Sequence, residues 1–193
     1  MSLERPVVRL ETRQLKARFA TVRARTLALA APLSPEDCQA QAAPECSPAK
    51  WHLAHTTWFF EQWLRATTPD RAPVRPEWDP LFNSYYDAFG ERVGRAERGR
   101  LTRPSLDEVL DFRRGVEADV EAALDRGLSG QDAADLFELA LAHEEQHQEL
   151  LLQDVKRLFA ASPIRPVYRP DAPGPTADPG AGGFVRFPEG RRE

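Results

Sequence analysis

The sequence lacks long apolar segments. No run of apolar residues approaches the ~20 that a membrane-spanning helix needs, and the first residues, MSLERPVVRLETRQ, contain no apolar stretch of the signal-peptide type. An excess of basic residues is also missing, because the net charge is -4 and the pI is about 5.7. These absences predict a cytoplasmic protein with no membrane partner and no nucleic-acid partner.

Cysteine and histidine are both scarce, with two and four residues respectively. Cys38 and Cys46 have seven residues between them, a spacing that fits no common zinc or redox motif. We interpret them as reduced thiols in a loop, because disulfides are rare in the cytoplasm. The histidines are clustered rather than scattered: they lie in two tight pairs that are far apart in sequence, His52 with His55 and His143 with His147.

Helical periodicity dominates what remains, and no stretch shows the strict alternation of a half-buried strand. Ser47 is predicted to cap the second helix with Pro48 in its first turn, and Ser105 and Glu108 form a capping box for the third. The segment between the second and third helices is predicted to be an ordered loop with some local helix, because it is rich in aromatic residues. The four predicted helices span about residues 8–31, 48–67, 106–126 and 132–161.

This pattern predicts an all-α protein, a four-helix bundle with a long crossover loop over residues 70–104. The composition changes after Pro163, and seven of the 17 prolines lie from Ser162 onward. We therefore divide the chain into a bundle, residues 1–162, and a Pro/Gly-rich C-terminal tail, residues 163–193.

The histidines predict a metal site inside the bundle. His143 and His147 are at positions i and i+4 of one helix, so their imidazoles project from the same face. His55 lies midway along the second helix, and facing helices of a bundle can direct such residues to one interior point. Three neutral imidazoles with open positions make a reactive metal site. We interpret His52 as a neighbour of this site or a surface group rather than as a ligand.

The same segment, HEEQH, also matches the zinc-protease pattern H-E-x-x-H, with Glu144 as the base. We reject this interpretation, because the longer protease motif needs glycine at position 150 and histidine at position 153, where the chain has Leu150 and Gln153. Glu144 and Glu145 are instead expected to point away from the metal, either outward or toward other helices.

Four segments, SPAKWHLAHTTWFFEQWL, FNSYYDAFG, RGRLTRPSLDEVLDFR and AHEEQHQELLLQDVKRLF, together resemble the amino-terminal domain of the ergothioneine-biosynthesis sulfoxide synthases. That domain is a four-helix bundle of the DinB-like type, and the resemblance covers about residues 10–165. It implies non-haem iron(II), Fe(II), held by His55, His143 and His147. It also implies an iron-dependent oxidoreductase that uses dioxygen to join the sulfur of cysteine or γ-glutamylcysteine to C2 of trimethylhistidine, as a sulfoxide.

The resemblance further implies a second domain, similar to formylglycine-generating enzymes, that supplies much of the substrate pocket. The segment GGFVRFPEGRRE resembles the opening strand of that domain, cut short, so we expect this chain to bind metal without completing the reaction alone. Three arginines of the crossover loop, Arg98, Arg100 and Arg103, are candidates to bind a substrate carboxylate.

Two alternatives stay open. The first is a stand-alone DinB-like, thiol-dependent transferase or isomerase that uses zinc at the same three histidines. The second is a non-catalytic metal-binding or interaction domain. The short chain favours the transferase, and the wording of the motifs favours the sulfoxide synthase.

Overall fold

Four long helices make up most of the computed structural model, which describes residues 12–84, 92–128 and 131–171. They are α1 (Thr12–Ala30), α3 (Ala49–Thr67), α5 (Leu106–Arg126) and α6 (Gln131–Ala161), and two short helices, α2 (Pro35–Gln39) and α4 (Asp79–Phe82), lie between them. The described residues contain no strand, so the all-α prediction is confirmed. The predicted residues 8–11 of the first helix and most of the Pro/Gly-rich tail lie outside the described residues.

Helix α3 is the central element of the bundle, because it packs against both α5 and α6, while α1 packs mainly against α6. Fourteen of the 19 residues of α3 are buried, and several of these are polar. Its aromatic residues Trp58, Phe60 and Trp63 are at most 3% exposed and join the main apolar core. Any functional group on α3 is therefore held in a fixed, largely dry environment.

The crossover segment is folded onto α3 by hydrogen bonds from buried rings. Trp58 Nε1 donates to Asp79 Oδ1 at 2.7 Å, and Trp51 Nε1 donates to the carbonyl of Leu81 at 3.1 Å. Both acceptors belong to α4, and a 3₁₀ turn at Pro76–Trp78 leads into it. A second 3₁₀ turn spans Arg95–Arg100. The predicted local helix in this segment is confirmed, whereas Tyr85, Tyr86 and Phe89 lie outside the described residues.

The helix ends were predicted with mixed success. The capping box of α5 is present, with Ser105 Oγ accepting from the Glu108 amide, and the helix ends at Gly127 with φ of 88°. The predicted cap of α3 is wrong: Pro48 is the N-cap, and it makes no side-chain cap bond. Ser47 Oγ instead accepts a hydrogen bond from Arg98, which lies far away in the crossover segment.

A smaller apolar cluster packs near the C-terminal end of α6, around Leu151, Val155 and Phe159. Cys38 belongs to this cluster and lies in α2, so its predicted loop position is wrong. Both cysteines are free and buried, as the interpretation of reduced thiols predicted. Across the described part of the chain, every helix is too short or too polar to cross a membrane.

Candidate metal centre

Three imidazoles meet where α3 faces α6. His55 comes from the middle of α3, and His143 and His147 come from adjacent turns of α6. One nitrogen of each residue lies within 4.8 Å of the others, and Nε2 of His55 is 3.2 Å from Nε2 of His143. The structure therefore brings together the three histidines that the sequence singled out.

The imidazole of His55 is fixed on both its edge and its face. Nδ1 lies 2.5 Å from the carbonyl oxygen of Phe82, and a carbonyl only accepts, so Nδ1 carries the proton. In the neutral ring Nε2 is then unprotonated, and its lone pair points toward His143. Trp51 stacks on the same ring with a centroid distance of 4.4 Å and an interplanar angle of 13°. The orientation of His55 is thus set before any ligand binds.

His52, on the same helix, is 3% exposed and lies against the site rather than at the surface. Its Nδ1 is 2.8 Å from Nδ1 of His147, and its Nε2 is 3.0 Å from Oδ2 of Asp154. The same Asp154 oxygen accepts the backbone N–H of Ser47 at 2.8 Å. His52 therefore joins one of the three converging histidines to a carboxylate.

Burial keeps these rings uncharged. It lowers the pKa of His143 to about 4, and it holds the pKa of His55 well below the usual value, with the neighbouring His143 adding to the effect. The pKa of His147 is lowered by burial and then by the nearby His55. Burial also lowers the pKa of His52, in spite of the opposing effect of Asp154. Neutral imidazole is the form that binds metal.

A cavity of about 880 Å³ opens beside the three histidines. Phe59 and Leu139 form part of its apolar wall, and Arg98 lies on its polar side. The guanidinium of Arg98 sits 3.4 Å above the Trp51 ring, so the arginine, the indole and the His55 imidazole form a stack. A cavity of this size admits small molecules next to the imidazoles.

Of the three arginines proposed from sequence, only Arg98 lies in this cavity. Arg100 is exposed and pairs with Glu97 at 2.8 Å. Arg103 is exposed and lines a different, shallower depression, so the structure does not bring it or Arg100 to the histidines. Arg95, which the sequence reasoning did not single out, lies at the rim of the histidine cavity.

Glu144 points away from the imidazoles and is fully buried. It accepts hydrogen bonds from Arg23 at 3.0 Å, from Arg113 at 2.6 Å and from Thr26 at 2.6 Å. Burial alone would raise its pKa, but the two guanidinium groups hold the pKa of Glu144 at about 2. Its neighbour Glu145 is exposed and pairs with Arg18. The expectation that both carboxylates point away from the three histidines is confirmed, and Glu144 is not placed to act as a protease base.

Sequence reasoning missed Asp154 and Phe82 as parts of the site. Asp154 lies seven residues after His147, which places it two turns further along the same face of α6. That spacing was visible in the sequence. The contribution of Phe82 is a backbone carbonyl, and no side-chain pattern reports it.

Comparison with known proteins places these observations in a family. The profile of the DinB superfamily matches residues 18–151, which include all three converging histidines. Two proteins named hercynine oxygenase are similar to the chain. The one from Mycobacterium tuberculosis is 33% identical over 153 residues, and the one from Mycolicibacterium smegmatis is 34% identical over 175 residues.

These two matches cover 78% and 89% of this chain but 34% and 38% of the relatives. A third hercynine oxygenase, from Mycolicibacterium thermoresistibile, is 36% identical over 110 residues, which are 57% of this chain and 24% of the relative. The chain thus spans about a third of the length of the curated relatives that it matches. From its helical architecture and the extent of the profile match, the chain belongs to the DinB superfamily.

Proposed function

We propose that the chain is the metal-binding module of a non-haem iron(II) sulfoxide synthase that acts on trimethylhistidine, a cysteine-type thiol and dioxygen. The observation that carries the proposal is the convergence of His55, His143 and His147 within 4.8 Å. The similarity to hercynine oxygenases supports the choice of substrate, because hercynine is trimethylhistidine.

The donor set fits a first-row metal. Two nitrogens that bind one ion at ~2.1 Å lie about 3.0–3.4 Å apart at right-angled to tetrahedral geometry. Nε2 of His55 and Nε2 of His143 are 3.2 Å apart, and a lone pair of His55 points into the space between them. A bound iron(II) would supply dioxygen activation and sites for the thiolate and the imidazole of the substrates.

The proposed reaction balances with dioxygen as the sole oxidant. A new bond joins the thiol sulfur to C2 of the imidazole, and one oxygen atom is transferred to that sulfur. The second oxygen atom leaves as water with the thiol hydrogen and the C2 hydrogen. The thiol donor is cysteine or γ-glutamylcysteine, and both carry a carboxylate that a cationic side chain can bind.

Arg98 is the residue of this chain that we assign to that carboxylate. It lies in the same cavity as the histidines, and its position is set by stacking on Trp51 and by a 2.8 Å hydrogen bond to Ser47 Oγ. A guanidinium is planar and always charged, and it binds carboxylates through two parallel hydrogen bonds. The exposed Arg95 at the rim adds a second positive charge.

The remainder of the pocket is proposed to come from a second domain similar to formylglycine-generating enzymes. Leu139 lies at the cavity and is 53% exposed, and Leu136, one turn away on α6, is 44% exposed. Apolar side chains in such positions suit coverage by another protein surface. Oxygen chemistry also needs a closed site that excludes water, which this cavity alone does not provide.

The proposal is tested by metal titration of the purified chain under anaerobic conditions. We expect one iron(II) per chain, loss of binding in His143→Ala, and a change in the optical spectrum of the metal when trimethylhistidine or cysteine is added. Binding that is identical in the wild type and His143→Ala would overturn the proposal. Tight binding of zinc with exclusion of iron, and no response to trimethylhistidine, would favour the zinc-dependent transferase or isomerase instead.

An activity assay tests whether this chain can complete the proposed reaction alone. The iron-loaded chain is supplied with trimethylhistidine, cysteine or γ-glutamylcysteine, and oxygen, and the sulfoxide is measured by mass spectrometry. We expect far less product than a full-length hercynine oxygenase forms. A comparable rate would contradict the need for a second domain.

A further inference from the structure

Three groups, Asp154, His52 and His147, lie in a continuous line that ends at the metal centre. Asp154 Oδ2 is 3.0 Å from Nε2 of His52, and Nδ1 of His52 is 2.8 Å from Nδ1 of His147. Asp154 and His147 are both on α6, and His52 reaches between them from α3. The His52 side chain is 3% exposed and that of Asp154 is 21% exposed, so the ring at the centre of the line is shielded from water. The arrangement needs a specific distribution of protons.

The carboxylate determines that distribution. Asp154 is acceptor-only when ionised, so Nε2 of His52 must carry a proton and donate it. In the neutral ring Nδ1 of His52 is then an acceptor, and only Nδ1–H of His147 can donate to it. The remaining nitrogen of His147, Nε2, is left with its lone pair. The two hydrogen bonds, from His147 to His52 and from His52 to Asp154, thus select the tautomer of His147 that is protonated at Nδ1.

His55 shows the same selection by a simpler route. Its Nδ1–H donates to the carbonyl of Phe82, which leaves Nε2 free on the side of the other histidines. Metal-binding histidines generally donate their second N–H to a carboxylate, a carbonyl or water, and such partners orient the ring. For His147 the pair formed by His52 and Asp154 takes the place of the carbonyl.

We propose that His52 and Asp154 are positioning residues that hold His147 in the tautomer and orientation whose Nε2 binds the metal. This inference rests on the proposed metal site and assigns a role to the one histidine that the three-ligand interpretation leaves over. Asp154 is itself fixed, because the Ser47 amide donates to the same oxygen that receives His52.

Two substitutions at Asp154 separate the hydrogen bond from the negative charge. Asp154→Leu has a similar volume but no acceptor for His52. Asp154→Asn keeps an acceptor, because the Ser47 N–H requires an oxygen at the Oδ2 position and so prevents the amide from turning its NH₂ group toward His52. We expect Asp154→Leu to weaken cobalt(II) binding by roughly 10- to 100-fold, and Asp154→Asn to bind with nearly wild-type affinity.

Cobalt(II) is the probe for affinity, and nitrogen NMR of the imidazoles is the probe for tautomers. In the metal-free wild type, long-range ¹H–¹⁵N spectra should show His147 protonated at Nδ1. In Asp154→Leu the same ring should shift toward the Nε2-protonated form. A merely structural role would not change the tautomer. Assignment is practical because the chain has four histidines.

Glu149→Gln is the matched control, since it also removes one negative charge from α6 at an exposed position. It should leave cobalt affinity unchanged. If Asp154→Leu does not fold, the variants His52→Gln and His52→Leu replace it. The glutamine amide retains one donor and one acceptor, so the chain with His52→Gln should bind cobalt more tightly than the chain with His52→Leu. Thermal unfolding of each metal-free variant identifies losses that come from folding alone.

The outcomes separate this inference from the proposed function. Wild-type affinity and an unchanged His147 tautomer in Asp154→Leu would overturn the positioning role, while loss of binding in His143→Ala would leave the metal site standing. An Nε2-protonated His147 in the wild type, or equal loss in Asp154→Asn and Asp154→Leu, would also overturn it. Equal cobalt binding by the wild type and His143→Ala would remove the proposed function itself.

Discussion

Two adjacent glutamates of α6 allow a direct test of what the buried ion cluster contributes. Glu144 is 0% exposed and is bonded to two buried arginines, Arg23 and Arg113, whereas the Glu145 pair with Arg18 lies at the surface. The perturbation is the same in both cases: Glu144→Gln and Glu145→Gln each replace a carboxylate with an amide of equal size.

The expected magnitudes differ because of solvent. Removing one partner of a buried pair leaves an uncompensated charge and costs about 3–5 kcal/mol. Here Glu117 compensates one side of the cluster, since its carboxylate also accepts from Arg23 at 2.7 Å, so the lower end of that range applies. Loss of an exposed pair costs at most about 1 kcal/mol. In a chain of this length 3 kcal/mol lowers Tm by roughly 6–12 °C.

The assay is urea unfolding of the metal-free chain at neutral pH, followed by tryptophan fluorescence, which is suitable because Trp51, Trp58 and Trp63 are buried. Circular dichroism provides the second signal for the same transition. If Glu144→Gln loses less than about 1 kcal/mol, or no more than Glu145→Gln, the reasoning that assigns Glu144 to the structural cluster is refuted. The Glu145 variant also controls for the loss of one negative charge.

Four further outcomes follow from the structure. The pKa of Glu144 is about 2 in the folded chain and 4.5 ordinarily, so the stability that its carboxylate contributes should be complete above pH 4.5 and decline as the pH falls toward 2. In acid unfolding, the free energy of unfolding of Glu144→Gln should depend less on pH over that interval. Burial raises the pKa of Cys38 to about 11, so iodoacetamide at pH 8 should label it only after unfolding, as measured by mass spectrometry. Ser105→Ala should cost about 1 kcal/mol in a urea titration, because it removes the side-chain half of the α5 capping box. Burial raises the pKa of Glu61, whose Oε1 accepts the Val74 amide, so Glu61→Gln at pH 7 should stay within about 1 kcal/mol of the wild type, in contrast to the same change at Glu144.

The sequence was sufficient for the four long helices and for the three converging histidines. Helical periodicity and capping residues are local properties, and an i, i+4 pair of histidines shares a face in any helix. The third histidine, His55, was predictable because histidine is rare in this chain. The prediction of the His143 and His147 pair depends on spacing along one helix, which the sequence states directly.

Contacts between segments were harder to predict. Ser47 was read as a local cap, but in the folded chain its hydroxyl accepts from Arg98, and nothing near Ser47 in sequence indicates that partner. Arg100 and Arg103 are arginines of the same crossover segment as Arg98. Of these three residues, only Arg98 is directed onto Trp51. His52 was left without a role because its two partners lie 95 and 102 residues away.

The position of His55 opposite α6 has a consequence for how the bundle holds together. Under the proposed function, one ion bonded to His55 and His143 closes a chain segment of 88 residues, as a cross-link between the two central helices does. At a free metal concentration 100 times Kd, the ion stabilises the folded chain by about 2.7 kcal/mol. A chelator would then loosen the interface between α3 and α6, and hydrogen exchange of both helices would report metal occupancy as faithfully as a spectrum.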